Sequence, residues 1–189
     1  MGEPLRKIAS SKDHTVWMTQ PDESDILMKR RDIAFDITKE KLTESGNIET
    51  AMQTAEAFGR GLFSDFIKSE SAIWTMDTWI EPMAEHILNP MGTGATFTNI
   101  TEDEATSLIF RCRLHEETEE PHMASLFTYG FLRGMLRSAF PSGELLMGSS
   151  MAQGAPMIEL TFKTRATDKE KWERERIKHL MIDATKPEE

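Results

Sequence analysis

The chain has 189 residues, of which 39% are hydrophobic and 29% charged, and 32 acidic against 22 basic side chains leave a net charge of −10. That balance suits one globular domain with tails, excludes a disordered chain, and disfavours non-specific binding to phosphate backbones. A single cysteine, Cys112, excludes an intrachain disulfide and a multi-cysteine zinc cluster, and no apolar run approaches the roughly 18–20 residues of a membrane span.

Residues 1–24 mix Pro, Ser, Lys and Asp without periodicity and are expected to form a flexible N-terminal arm, with Trp17 and Met18 as points of attachment. This stretch has no apolar signal core, and Arg6 stands where a myristoylation motif wants Ser or Thr, so the expected location is cytoplasmic. A single α+β ligand-binding domain is expected over residues 25–166. A helix from about Ser24 to Glu44 follows from Ser24 as N-cap and from Ile26, Ile33 and Ile37 at near-helical spacing. Lys29-Arg30-Arg31 lies beside Asp32 and Asp36 and reads as a solvated face of that helix.

After Gly46-Asn47, the residues Ile48, Met52, Ala55, Gly59, Leu62 and Phe66 fall at steps of three and four and share one helical face. Gly59 and Gly61 cost about 1 kcal/mol each against Ala inside a helix. They point to a close approach of another helix or of a ligand. A third helical stretch, Ser71 to Leu88, carries Ile73, Met76, Ile80, Met83 and Ile87, and Pro82 must kink it or start a new helix. Strands are expected at Ala95–Ile100 and Ala105–Leu114, then an acidic loop at His115–Pro121 and a mostly buried helix from Met123 to Phe140. Glu144–Met151 and Met157–Thr164 read as a hairpin. In its second strand Ile158, Leu160 and Phe162 alternate with Glu159, Thr161 and Lys163, so one face is buried and one wet. Asp168 is expected to cap a charged C-terminal helix, KEKWERERIKHLMI, followed by a tail to residue 189, with Trp172, Arg176, His179 and Leu180 against the body or a partner.

The segment FTYGFLRGMLRSAF followed by GSSMAQGAPMIELTFK resembles the C-terminal half of the 4-vinyl reductase domain family. The matching positions are Gly130, Phe131, Leu132, Gly134 and Leu136 in a glycine-spaced helix, then Ala152, Gly154, Pro156 and Phe162 in the hairpin. AEAFGRGLFSDF resembles the family's first glycine-containing helix. The resemblance implies an α+β fold with helices packed on one face of an antiparallel sheet, shared with subunits of the TRAPP vesicle-tethering complex. It also implies an internal pocket for small apolar or aromatic molecules, and dimerisation. Many relatives hold a structural zinc through cysteines in the last hairpin. Ser150 and Ile158 stand at the corresponding positions here, so the zinc is not carried over and no cofactor is expected.

The densest set of metal-ligating residue types is Cys112, His115, Glu116, Glu119 and His122. Without a standard ligand spacing, a core cysteine beside a solvated loop is the preferred reading. Cys112 with His115 or His122 is the sole Cys–His option for nucleophilic catalysis, and no G-x-S-x-G elbow or phosphate loop occurs. Thirteen methionines, with the phenylalanines and tryptophans, favour an adaptable apolar lining. The expected ligand-binding residues are Phe58, Phe63, Trp74, Trp79, Met83, Phe127, Phe131 and Met135; His86 or His122 as axial ligand to a tetrapyrrole is a weaker option. The expected function is a small-molecule binding or sensor domain for an apolar, aromatic or lipid-like ligand, leaning away from enzymatic activity, in a homodimer without nucleic-acid partners. The alternatives are a dimeric interaction or scaffold protein without ligand, or a Cys112-dependent hydrolase or reductase.

Overall fold

The structure, a computed structural model, describes residues 24–67 and 73–166, together with the backbone of 5–11 and 14–19. The expected C-terminal helix, with Asp168, Trp172, Arg176, His179 and Leu180, lies outside the described residues. Among the described residues six strands form one antiparallel sheet in the order β1-β2-β3-β4-β6-β5. They are β1 (Leu5–Ser11), β2 (His14–Thr19), β3 (Gly94–Thr98), β4 (Glu104–Arg111), β5 (Glu144–Ser149) and β6 (Ile158–Lys163). The fold is α+β, with helices on one face of the sheet. Along β6, Ile158, Leu160 and Phe162 are buried beneath the helices while Glu159 is exposed. In β4 the buried set is Ala105, Ser107 and Ile109.

The N-terminal segment differs from the expected arm. Leu5–Ser11 and His14–Thr19 pair antiparallel as β1 and β2, and β2 joins the sheet through the pairs Trp17–Phe97 and Met18–Thr96. Thr15, Val16 and Trp17 are residue types that favour strands, but the Lys, Ser and Asp around them hide the alternation. A second difference follows at Arg113–Glu117, expected as the end of a strand and the start of an acidic loop and observed as the one-turn helix α4.

Helix α1 spans Asp25–Ser45 and stops at Gly46, whose φ of 58° is the left-handed conformation that glycine adopts at least cost. Its buried face is Leu27, Arg31, Phe35 and Thr38, and the isoleucines whose spacing marks the helix lie outside that face. Ile26, Ile33 and Ile37 are 71%, 62% and 43% exposed. Arg31 is likewise no part of a solvated face: it is 2% exposed and donates to Asp32 (2.8 Å) and to Glu117 (2.8 Å), tying α1 to α4. A guanidinium with a long aliphatic stem can be buried when carboxylates take up its donors, which an apolar count does not register.

Helix α2 (Ile48–Phe66) begins at Asn47, whose side chain accepts from the Glu49 N–H at 2.9 Å. Helix α5 (Pro121–Ala139) is buried on every side from Met123 to Leu136, because α2 covers one flank and the sheet another. The two helices meet through glycines. A Cβ on Gly59 would lie 1.9 Å from the Phe131 carbonyl oxygen, and one on Gly134 would lie 2.2 Å from the Glu56 carbonyl oxygen. Of the two readings open for Gly59, close helix contact is therefore the one realised. Gly61 faces open space. Helix α3 (Met76–Met83) contains Pro82 and runs directly into a π-helical turn, Ala84–Leu88. Met76, Ile80, Met83 and Ile87 are buried as expected, whereas Ile73 is 81% exposed.

Candidate functional site

Of the eight residues expected to line a ligand site, the six aromatic ones fall into three neighbourhoods. Phe58 on α2 stacks on Phe127 of α5, with ring centroids 5.6 Å apart, and meets Phe131 edge-on at 6.2 Å. Phe127 and Phe131 are 5.7 Å apart, and Phe35 of α1 closes this group edge-on against Phe127 at 5.6 Å. Phe63 pairs with Trp74 at 6.1 Å, away from that cluster's centre. Both are half-buried, as is Phe58. Trp79 lies elsewhere, against the sheet, contacting Phe140 (6.0 Å) and Phe162 (5.7 Å). Met83 and Met135 are fully buried.

Trp79 is the one member of the set with an unusual polar feature. Its side chain is 0% exposed, and its indole N–H has no acceptor among the described residues. On the buried face of β4 the Ser107 hydroxyl is also without a partner among the described residues. Ser107 pairs in register with Phe97 of β3 and Leu160 of β6, and Phe97 in turn touches Phe162 at 6.3 Å. Two hydrogen-bonding groups thus sit on the apolar side of the sheet around one aromatic cluster. A buried donor left unmade costs about 1–3 kcal/mol, so an acceptor brought to it is favoured by a similar amount.

The Cys112 region does not assemble a nucleophile and base. Cys112 is buried at the start of α4, and burial pushes its thiol pKa up, an effect that the backbone N–H groups of His115 and Leu114 only partly offset. Neither ring nitrogen of His115 has a hydrogen-bond partner among the described residues, so that imidazole does not activate the thiol. Burial also lowers the His115 pKa to about 4, which leaves the ring neutral at physiological pH. Among the described residues no three His, Cys, Asp or Glu side chains converge to hold a metal ion. Glu119 instead lines a groove of about 470 Å³ between α1 and α4, with Asp32, Asp36, Glu117 and Glu120. Lys39 offsets part of this charge through a 2.6 Å ion pair with Glu120. His86 is exposed on the π-helical turn, and His122 is half-buried in the first turn of α5.

Sequence reasoning missed a buried ionic network between α2, α5 and β5. Glu56 and Arg133, 5% and 8% exposed, form a short charge-assisted pair. Arg60 reaches Glu56 at 3.2 Å, and Arg137 lies 3.8 Å from Glu56 and 3.9 Å from the buried Glu144. Tyr129 donates to the Leu145 carbonyl at 2.7 Å while its ring lies under the Arg133 guanidinium at 5.8 Å. Burial alone would depress the Arg133 pKa; the Tyr129 and Glu56 oxygens beside it outweigh that, and the net direction is upward. These groups hold the glycine-notched helix pair in register. The available signals were Glu56 on the apolar stripe of α2 and Arg133 inside a run with no other charge.

No family model and no curated protein matches this chain. Among solved structures it is similar to a trafficking protein particle complex subunit 3 from Naegleria fowleri covalently bound to palmitic acid. The identity is 16% over 74% of this chain and 77% of that one, with a TM-score of 0.31. That likeness does not extend to the 4-vinyl reductase family. No helix among the described residues is long and apolar enough to cross a membrane.

Proposed function

We propose that this chain is a non-enzymatic module that binds an apolar, aromatic or lipid-like small molecule between its helices and its sheet, and that it acts as a homodimer. The observation that carries the ligand reading is the buried Trp79 N–H without an acceptor among the described residues, set among Phe140, Phe162 and Phe97. Small-molecule sites are mostly apolar with a few polar groups that fix orientation, and Trp79 with Ser107 has that composition. The favoured ligand is accordingly a hydrocarbon or aromatic body bearing one acceptor oxygen, such as a carboxylate or carbonyl. The Cys112 geometry supports no hydrolase or reductase chemistry, since the thiol is buried, raised in pKa and unpaired with the His115 ring.

The test is a thermal-shift comparison of native protein and Trp79→Phe with long-chain fatty acids, aromatic carboxylates and the matching hydrocarbons. The proposal expects a rise in Tm for the native chain that is larger for the acceptor-bearing compounds, and loss of that preference in Trp79→Phe. No shift with any of these probes would refute it.

A further inference from the structure

From the charges around the Trp79 cluster we infer that the site takes the oxygen of its ligand in an uncharged form, as an alcohol, an ester or a protonated acid, with the Ser107 hydroxyl as its second contact. This rests on the ligand reading above and narrows the head group it admits. Ser107 stands one inward position along β4 from Ala105, which pairs with Phe162, whose ring lies 5.7 Å from that of Trp79. It is 1% exposed, and its hydroxyl, like the Trp79 N–H, has no partner among the described residues. The indole N–H only donates, whereas the hydroxyl both donates and accepts. An alcohol oxygen can therefore accept from Trp79 and donate to Ser107, and a carbonyl oxygen can accept from both.

A carboxylate would need a positive charge there, and the surrounding cations are committed elsewhere. Among the described residues the buried cations are Arg31 and Arg133. Arg31 is held by Asp32 and Glu117, and Arg133 by Glu56. Further along β4 from Ser107, Arg111 pairs with Glu116 at 3.5 Å. Lys163 follows Phe162 on β6 but alternates to the opposite face, where it lies 3.3 Å from Glu104. Beyond Phe140, which also touches Trp79, the buried ionisable side chain is Glu144, itself acidic. Arg137 is divided between Glu144 at 3.9 Å and Glu56 at 3.8 Å. An ionised head group placed in this cluster loses its hydration and gains no counter-charge, and such a group takes up a proton instead. A fully buried carboxyl holds its proton roughly a thousandfold more tightly than one in water. A fatty acid is admitted on the same terms, as the neutral acid.

Equilibrium dialysis of the full chain with radiolabelled decanol, methyl decanoate and decanoate tests this, at pH 8.5 and at pH 6.5. At pH 8.5 the alcohol and the ester should bind at least about a hundredfold more tightly than decanoate, which is ionised there. Lowering the pH should strengthen decanoate binding roughly tenfold per pH unit and leave decanol unchanged, because the proton taken up belongs to the ligand. Ser107→Ala, its fold verified by an unchanged circular dichroism spectrum, should weaken decanol binding roughly fivefold or more. The native pH series stands independently of that variant. Decanoate that binds as tightly as decanol at pH 8.5 overturns the uncharged head group and leaves the ligand reading standing. Native decanol affinity in folded Ser107→Ala overturns the Ser107 contact. No binding of any of the three compounds at either pH overturns the ligand reading and this inference together.

Discussion

Substituting Gly134 by Ala should destabilise the protein, while the same change at Gly61 should stabilise it. Both glycines lie inside helices, so each replacement gains up to about 1 kcal/mol of helix propensity. At Gly134 the new methyl would stand 2.2 Å from the Glu56 carbonyl oxygen, against the 3.4 Å at which ordinary contact begins. The obstacle is backbone, so relief requires α2 and α5 to separate by about 1 Å along their contact. That separation loosens the Phe58–Phe127 stack and the Glu56–Arg133 pair. Overpacking against a rigid neighbour costs about 1–3 kcal/mol or somewhat more. With the ionic network strained as well, a net loss of about 2–3 kcal/mol is expected, and a Tm lower by roughly 4–12 °C for a chain of this size. A methyl added at Gly61 would meet nothing within 4 Å, so Gly61→Ala should raise Tm by roughly 1–4 °C. Differential scanning calorimetry measures both. A Gly134→Ala protein as stable as the native one would refute the claim that these helices touch backbone to backbone.

Three further outcomes are expected. Glu56→Ala strands a buried guanidinium and should cost about 3–5 kcal/mol in urea unfolding, whereas Glu56→Leu combined with Arg133→Met should cost distinctly less. His115 has a folded pKa of about 4 against 6.5 when unfolded, so its contribution is present above pH 6.5 and is lost as pH falls toward 4. Discounted for partial exposure, about 1–2 kcal/mol should disappear over that window, and His115→Leu should flatten the profile. Finally, Cys112 should react with a thiol reagent at pH 8 roughly a hundredfold or more slower in native than in urea-unfolded protein, because only the thiolate reacts and burial opposes it. Equal rates would contradict the placement of the side chain.

Much of the architecture follows from local pattern. The α2 stripe, the all-buried α5 and the alternation in β6 are periodic signals strong enough to specify both element and buried face. Helix α1 was legible as a helix but not in orientation. Its inward face contains Arg31 and Thr38, made acceptable by Glu117 and by the Ala34 carbonyl, to which the Thr38 hydroxyl donates at 2.7 Å. Its isoleucines are turned outward, so apolar counting selects the wrong side. The β1–β2 pair was hidden because its stability comes from pairing with β3, a long-range partner that a window of local sequence does not contain. Of the site, the aromatic residues were legible as a set but not as separate clusters. The unpartnered Trp79 N–H could not be read at all, since satisfaction of a donor depends on what the fold brings near it.

The most direct test of the ligand reading is native mass spectrometry of the purified chain titrated with a long-chain fatty acid, alongside Trp79→Phe. The account predicts one bound molecule per chain in the native protein and markedly weaker occupancy in the variant. Absence of any adduct in the native chain, or equal occupancy in both, would contradict it.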